Sequence, residues 1–96
     1  MTIKNINSAT LKKWIDKDEA IIIDVREPAE YEEKSIENSI LIPLKTLEKS
    51  LIPAHEGKKI VIHCRSGKRS LFACEKLLDE DENLELYNLE GGILDW

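Results

Sequence analysis

Lys59-Ile60-Val61-Ile62-His63-Cys64-Arg65-Ser66-Gly67-Lys68-Arg69-Ser70 is the stretch on which the reading of this chain turns. Ile60-Val61-Ile62 is a short β-branched run, expected for a strand buried on both faces. Cys64 ends that run, and Gly67 interrupts the chain before a helical pattern from about Lys68 to Glu80. Leu71, Phe72, Cys74, Leu77 and Leu78 mark the apolar face of that pattern. A strand end, a glycine turn and a helix start in this order can aim several backbone N–H groups at one point. Such a point favours an anion, and the helix dipole adds to it. Gly67 supplies backbone angles that a Cβ would resist. Arg65, Lys68 and Arg69 add positive charge around the rim. Cys64 is therefore expected to ionise more readily than a free cysteine, whose pKa is about 8.5. The thiolate is the nucleophilic form.

Outward from this stretch, the chain alternates strands and helices. Ala20-Ile21-Ile22-Ile23-Asp24-Val25 is a second buried-strand pattern, Ile40-Leu41-Ile42 a shorter one, and Leu84 to Leu89 a last one. Asn7-Ser8 offers N-cap chemistry before a helix over Ala9 to Lys17, with Leu11, Trp14 and Ile15 on one face. Pro28 fits the first turn of a short helix to about Lys34. Leu44, Leu47 and Leu51 suggest a brief helix ended by Pro53. Strands alternating with helices imply α/β architecture, a small parallel sheet of about five strands with helices on both faces. Ligands of such sheets sit beyond the C-terminal strand ends, where Cys64 and Asp24 fall.

The 96 residues fit one domain spanning 1–96, with 42% hydrophobic and 34% charged residues, a globular balance. The net charge of −5 argues against nucleic acid as a partner. Yet Lys58, Lys59, Arg65, Lys68 and Arg69 make a local basic island, which suits a small anionic ligand. No apolar run approaches a membrane span, and Met1 to Asn5 carries no apolar signal core, so a cytoplasmic protein without a membrane partner is expected. The two cysteines can form neither a disulfide framework nor a zinc site, and nothing calls for an organic cofactor or a metal.

Cys64-x-x-Gly67-x-Arg69-Ser70 resembles the active-site loop of single-domain rhodaneses, the sulfurtransferases. Asp24-Val25-Arg26-Glu27-Pro28-Ala29-Glu30-Tyr31 is similar to the family's first signature, and Gly91-Gly92-Ile93-Leu94-Asp95-Trp96 to its closing one. With Ile42-Pro43-Leu44 between them, the likeness runs from about residue 8 to residue 96. It implies that Cys64 bears a persulfide and that Arg65, Ser66, Gly67, Lys68 and Arg69 cradle the substrate. The implied sulfur donor is thiosulfate or another persulfide, and the acceptor a thiol, a partner protein or cyanide. Arg65 and Lys68 resemble the basic loops of thiosulfate-using members. Related phosphatases and arsenate reductases carry their arginine six places after the cysteine, where this chain has Ser70; the shorter loop suits sulfur. In place of the family's Gly-His-Ile-x-Gly-Ala stands Lys34-Ser35-Ile36-Glu37-Asn38-Ser39, which puts the geometry of that turn in question. Trp96, where many relatives continue into a final helix, is expected either to close the sheet edge or to mark a shortened version.

Several residues have plainer readings. Cys74, at helical spacing with Leu71, Leu77 and Leu78, reads as core. His63 points away from Cys64 by strand alternation and reads as packed, not as a base. His55 reads as a loop residue, and Trp14 and Trp96 as packing. Asp24 either orients the loop or an arginine, or caps the next helix. Arg26 and Glu27 read as an ion pair or as surface charges, and Ser70 as a helix-start residue or a ligand contact. The leading function is sulfur transfer through Cys64. The alternatives are a non-enzymatic sulfur-relay or redox-sensing module using the same cysteine, and a phosphatase-like hydrolase.

Overall fold

The computed structural model describes residues 2–55 and 57–96. Five strands, β1 (Thr2–Ile6), β2 (Ala20–Asp24), β3 (Ile40–Leu41), β4 (Lys59–His63) and β5 (Glu85–Leu89), form one sheet in the order β1-β5-β4-β2-β3. All four pairings are parallel. Helices α1 (Ser8–Asp16), α2 (Pro28–Glu33) and α3 (Lys68–Glu80) alternate with the strands. The expected parallel α/β architecture is present.

Strand alternation divides the core into two apolar layers. Ile23, Ile60, Ile62 and Leu86 meet Ala73, Cys74, Leu77 and Leu78 of α3. Ile22, Val61 and Leu89 on the opposite face meet Leu11 of α1, with Ile36 and Ile93. The central strands are buried from both sides, which is why their sequences are continuous rather than alternating. Asn7 caps α1 as its sequence suggests, its Oδ1 accepting the Thr10 N–H at 2.9 Å.

The differences from expectation lie at the edges. β1 was not foreseen: Thr2-Ile3-Lys4-Asn5-Ile6 is too polar to read as a buried strand, but an edge strand needs only one partner, here β5. In place of a helix after Pro43 there are two 3₁₀ turns, Leu44–Thr46 and Lys49–Leu51, with Leu47 buried beneath them. Leu71 and Phe72 do not belong to the buried face of α3. They are 38% and 60% exposed, because the stripe that meets the sheet runs through Ser70, Ala73, Cys74, Leu77 and Leu78. The turn lacking the family's glycines is built all the same. Asn38 takes the left-handed backbone region (φ 66°), which asparagine tolerates better than most residues, and the Ser39 N–H donates to the Ile36 carbonyl at 3.0 Å. Trp96 packs with the α1-side layer, its ring 4.9 Å from Lys12 Nζ.

Arg26 does not pair with Glu27 and is not a surface charge. Its Nη2 meets Asp24 Oδ2 at 2.8 Å and its Nε meets Oδ1 at 3.0 Å, with both residues buried. The same Nη2 donates to the Lys34 carbonyl, which ties the end of β2 to the end of α2. His63 lies fully buried beside this pair, with Nε2 3.5 Å from Asp24 Oδ2 and Nδ1 3.3 Å from the Cys64 carbonyl oxygen.

Burial holds the His63 imidazole below its ordinary pKa, although Asp24 pulls the other way. The unfolded chain then binds more protons than the folded one between that lowered value and the ordinary value of about 6.5. Stability is therefore full above about pH 6.5 and falls as acid takes the pH through this window. Urea unfolding from pH 7 down to pH 5 should show the decline, and His63→Gln should flatten it.

Candidate functional site: the Cys64 loop

β4 ends at His63, and α3 begins at Lys68 with Gly67 as its N-cap. The four residues between must turn the chain sharply, and Gly67 takes the left-handed region (φ 100°) to do so. A Cβ there would meet Gly91 N at an ordinary contact distance of 3.4 Å, so it is the backbone angle rather than space that calls for glycine.

The closing segment fixes the loop from outside. The Ile93 N–H donates to the Cys64 carbonyl at 3.0 Å and the Leu94 N–H to the Arg65 carbonyl at 3.2 Å. Gly92, also left-handed (φ 57°), lies so close that a Cβ would stand 2.5 Å from both carbonyl oxygens. In a trans peptide the C=O and the next N–H point in opposite directions. Holding the Arg65 carbonyl outward against Leu94 thus turns the Ser66 N–H inward. The second glycine of the Gly91-Gly92 pair is a spacer that lets one backbone seize another.

Inside the loop lies Cys64 Sγ, in a residue only 1% exposed. It accepts the Gly67 N–H at 3.1 Å and stands 3.5 Å from Ser70 Oγ. Burial pushes this thiol up. The Ser70 hydroxyl and the amides of Ser70, Gly67 and Ser66 together outweigh it, and the net shift is downward. Cys74, on α3, is pushed up to about 12 by burial and by the nearby Glu75 carboxylate, which outweigh a backbone hydrogen bond. Cys64 is thus the cysteine suited to act as a nucleophile and Cys74 an inert core residue.

Among the loop residues named from sequence, Ser66 contributes its amide and Gly67 both its amide and its bend. Arg65 and Lys68 are exposed on the rim. Arg69 reaches sideways to α2, with Nη1 2.7 Å from Glu30 Oε1 and Nη2 2.9 Å from Oε2. Ser70 belongs to the site as well as to the helix start. Its hydroxyl has one proton, donated to Asn88 Oδ1 while Cys64 is a thiol and free to turn to Sγ once the thiol ionises. Asn88 Nδ2 donates to Asn5 Oδ1 at 3.0 Å and to the Gly67 carbonyl at 3.4 Å. Asn88, Asn5 and Glu30 received no functional role from sequence. For Asn88 a signal existed: a polar residue near the C-terminal end of an otherwise buried strand. Among the described residues no group of three or more His, Cys, Asp or Glu side chains is placed to hold a metal.

Alkylation with iodoacetamide across pH should follow one thiol, Cys64, with a midpoint below that of an ordinary free thiol. Ser70→Ala should raise that midpoint, and Gly92→Ala should raise it further by displacing the loop. Equal labelling of Cys74 in the folded protein would contradict this account.

Comparison with known proteins places the fold. The family model described as a rhodanese-like domain matches residues 7–96. The chain is 38% identical over 97 residues to "Putative sulfurtransferase YtwF" of Bacillus subtilis, covering 100% of this chain and 92% of that protein. It is 30% identical over 95 residues to "Sulfurtransferase" of Allochromatium vinosum, covering 98% of this chain and 88% of the other. The crystal structure of a rhodanese-related protein from Thermoplasma volcanium superposes with a TM-score of 0.81 at 38% identity, covering 97% of this chain and 89% of that one. With its loop, its two flanking signatures and its sheet order all in place, this chain belongs to the rhodanese-like domain family.

Proposed function

We propose that the protein is a sulfurtransferase that carries sulfane sulfur on Cys64, taking it from thiosulfate or a persulfide and passing it to a thiol, a partner protein or cyanide. The observation that carries this reading is the contact of Sγ with the Gly67 amide inside a ring of donors that favours its anion. A hydrogen bond to a charged group contributes about 1.5–3 kcal/mol, so a few amides can offset the cost of burying a thiolate.

In the first half-reaction the Cys64 thiolate attacks the outer sulfur of thiosulfate. A new S–S bond forms, the old one breaks, and sulfite leaves with its electron pair. The negative charge that sat on Sγ now sits one atom further out, on the terminal sulfur of Cys64–S–S⁻. In the second half-reaction an acceptor nucleophile attacks that terminal sulfur and Cys64 leaves as a thiolate. Cyanide becomes thiocyanate, and a thiolate becomes its persulfide. Each step is a displacement at sulfur, so this chemistry needs neither a separate base nor a resident metal.

The relatives named sulfurtransferases support this reading, as does the loop length, with Ser70 rather than arginine six places after Cys64. Incubation with thiosulfate should add the mass of one sulfur to Cys64, and cyanide should remove it as thiocyanate. Cys64→Ser should abolish both events and Cys74→Ser neither. Sulfur found on Cys74, or on neither cysteine with any sulfane donor, would sink the proposal.

A further inference from the structure

Of the three loop cations Arg65, Lys68 and Arg69, Arg69 alone makes an ion pair among the described residues. Its partner, Glu30, comes from α2, and both oxygens of Glu30 are engaged at 2.7 and 2.9 Å. Glu30 is itself held in place, because its Oε1 accepts the Glu27 N–H at 3.0 Å where α2 begins. The carboxylate is thus set before any ligand arrives. The pair remains partly solvated, with Arg69 37% and Glu30 30% exposed. Arg69 stands in the first turn of α3, whose N-cap amide touches Cys64 Sγ.

An anion approaching that sulfur meets Arg69 together with a fixed negative charge. By Coulomb's law the opposition from Glu30 is proportional to the charge on the incoming molecule. A doubly charged donor feels twice the energy that a singly charged one feels, so the two rate factors are related as a square. Resting on the sulfur-transfer reading, we infer that Glu30 tempers the charge preference of this site, offsetting the pull of the loop cations on dianionic sulfane donors such as thiosulfate and so favouring monoanionic ones such as an alkyl persulfide relative to the same loop without it. Both donors react by the same displacement: the Cys64 thiolate takes the outer sulfur, and either sulfite or an alkyl thiolate leaves with the electron pair.

A purely structural role for Glu30, docking α2 onto α3, would alter both donors by one common factor. The measurement is the second-order rate of sulfur loading on Cys64, read by mass, with thiosulfate and with 2-hydroxyethyl persulfide. Glu30→Gln keeps the size of the side chain and one hydrogen bond to Arg69 while removing the charge. At low salt it should speed loading from the persulfide by a factor on the order of three, the scale of one unit charge in a solvated mouth, and loading from thiosulfate by the square of that factor, about ninefold. At high salt the change in donor ratio should shrink toward none, because exposed charges are screened. Glu30→Asp, which keeps the charge, should retain the wild-type ratio. Equal factors for both donors, a loss for both, or a change in ratio indifferent to salt would overturn the inference while leaving sulfur transfer intact. Failure of the wild-type protein to load from either donor would instead remove the reading beneath it.

Discussion

Two carbonyl groups face away from the sulfur, and the site depends on their staying there. A ring of amides can surround an anion only if the C=O half of each peptide is held elsewhere, since the two halves point in opposite directions. Here the Cys64 and Arg65 carbonyls are bound by the Ile93 and Leu94 amides, and Gly92 lets those strands of backbone come together. The sulfur site is therefore assembled from segments nearly thirty positions apart in the chain, joined main chain to main chain. Side-chain identity at positions 93 and 94 matters less to this contact than the bare Cα at position 92.

The same arrangement separates two electrostatic tasks that a simpler site would merge. An anion at Sγ would be met by dipoles, from the Gly67 amide and its neighbours, and among the described residues by no cation in hydrogen-bond contact. Apart from that sulfur, the buried charges among the described residues lie at the neighbouring strand end, where Asp24 and Arg26 satisfy each other. Loss of either partner would strand a buried charge, which commonly costs about 3–5 kcal/mol. Arg65 and Lys68 stay exposed on the rim, and Arg69 is turned toward Glu30 rather than onto the sulfur.

The central architecture was legible because it is written in uninterrupted apolar runs. Ala20–Asp24 and Lys59–His63 are buried from both sides, and α3 ends where its pattern ends, at Glu80. Cys64 and Gly67 could be singled out because strand, glycine and helix follow one another within a few residues. What escaped was long-range or at the edge. β1 has the composition of a surface segment and becomes a strand only by pairing with β5, more than eighty residues later. The Glu30–Arg69 and Asn88–Ser70 contacts join residues far apart in sequence, and local spacing carries no trace of them. Arg26 was ambiguous for a related reason: whether an arginine is buried depends on what the fold lays over it, here the end of α2. Leu71 and Phe72 look like core by hydrophobicity alone, but the helix turns them outward.

β1 has a bearing on the sulfur centre that its position at the sheet margin conceals. Asn5 receives one hydrogen of the Asn88 amide group, whose other contacts are the Gly67 carbonyl and the Ser70 hydroxyl. The outermost strand is thus in mechanical series with the sulfur cradle, through a tether three side chains long. An edge strand is the part of a sheet most prone to fray, and each time β1 peels from β5 the tether goes slack. Any breathing at the N-terminal margin would in this way reach the sulfur as play in its cradle.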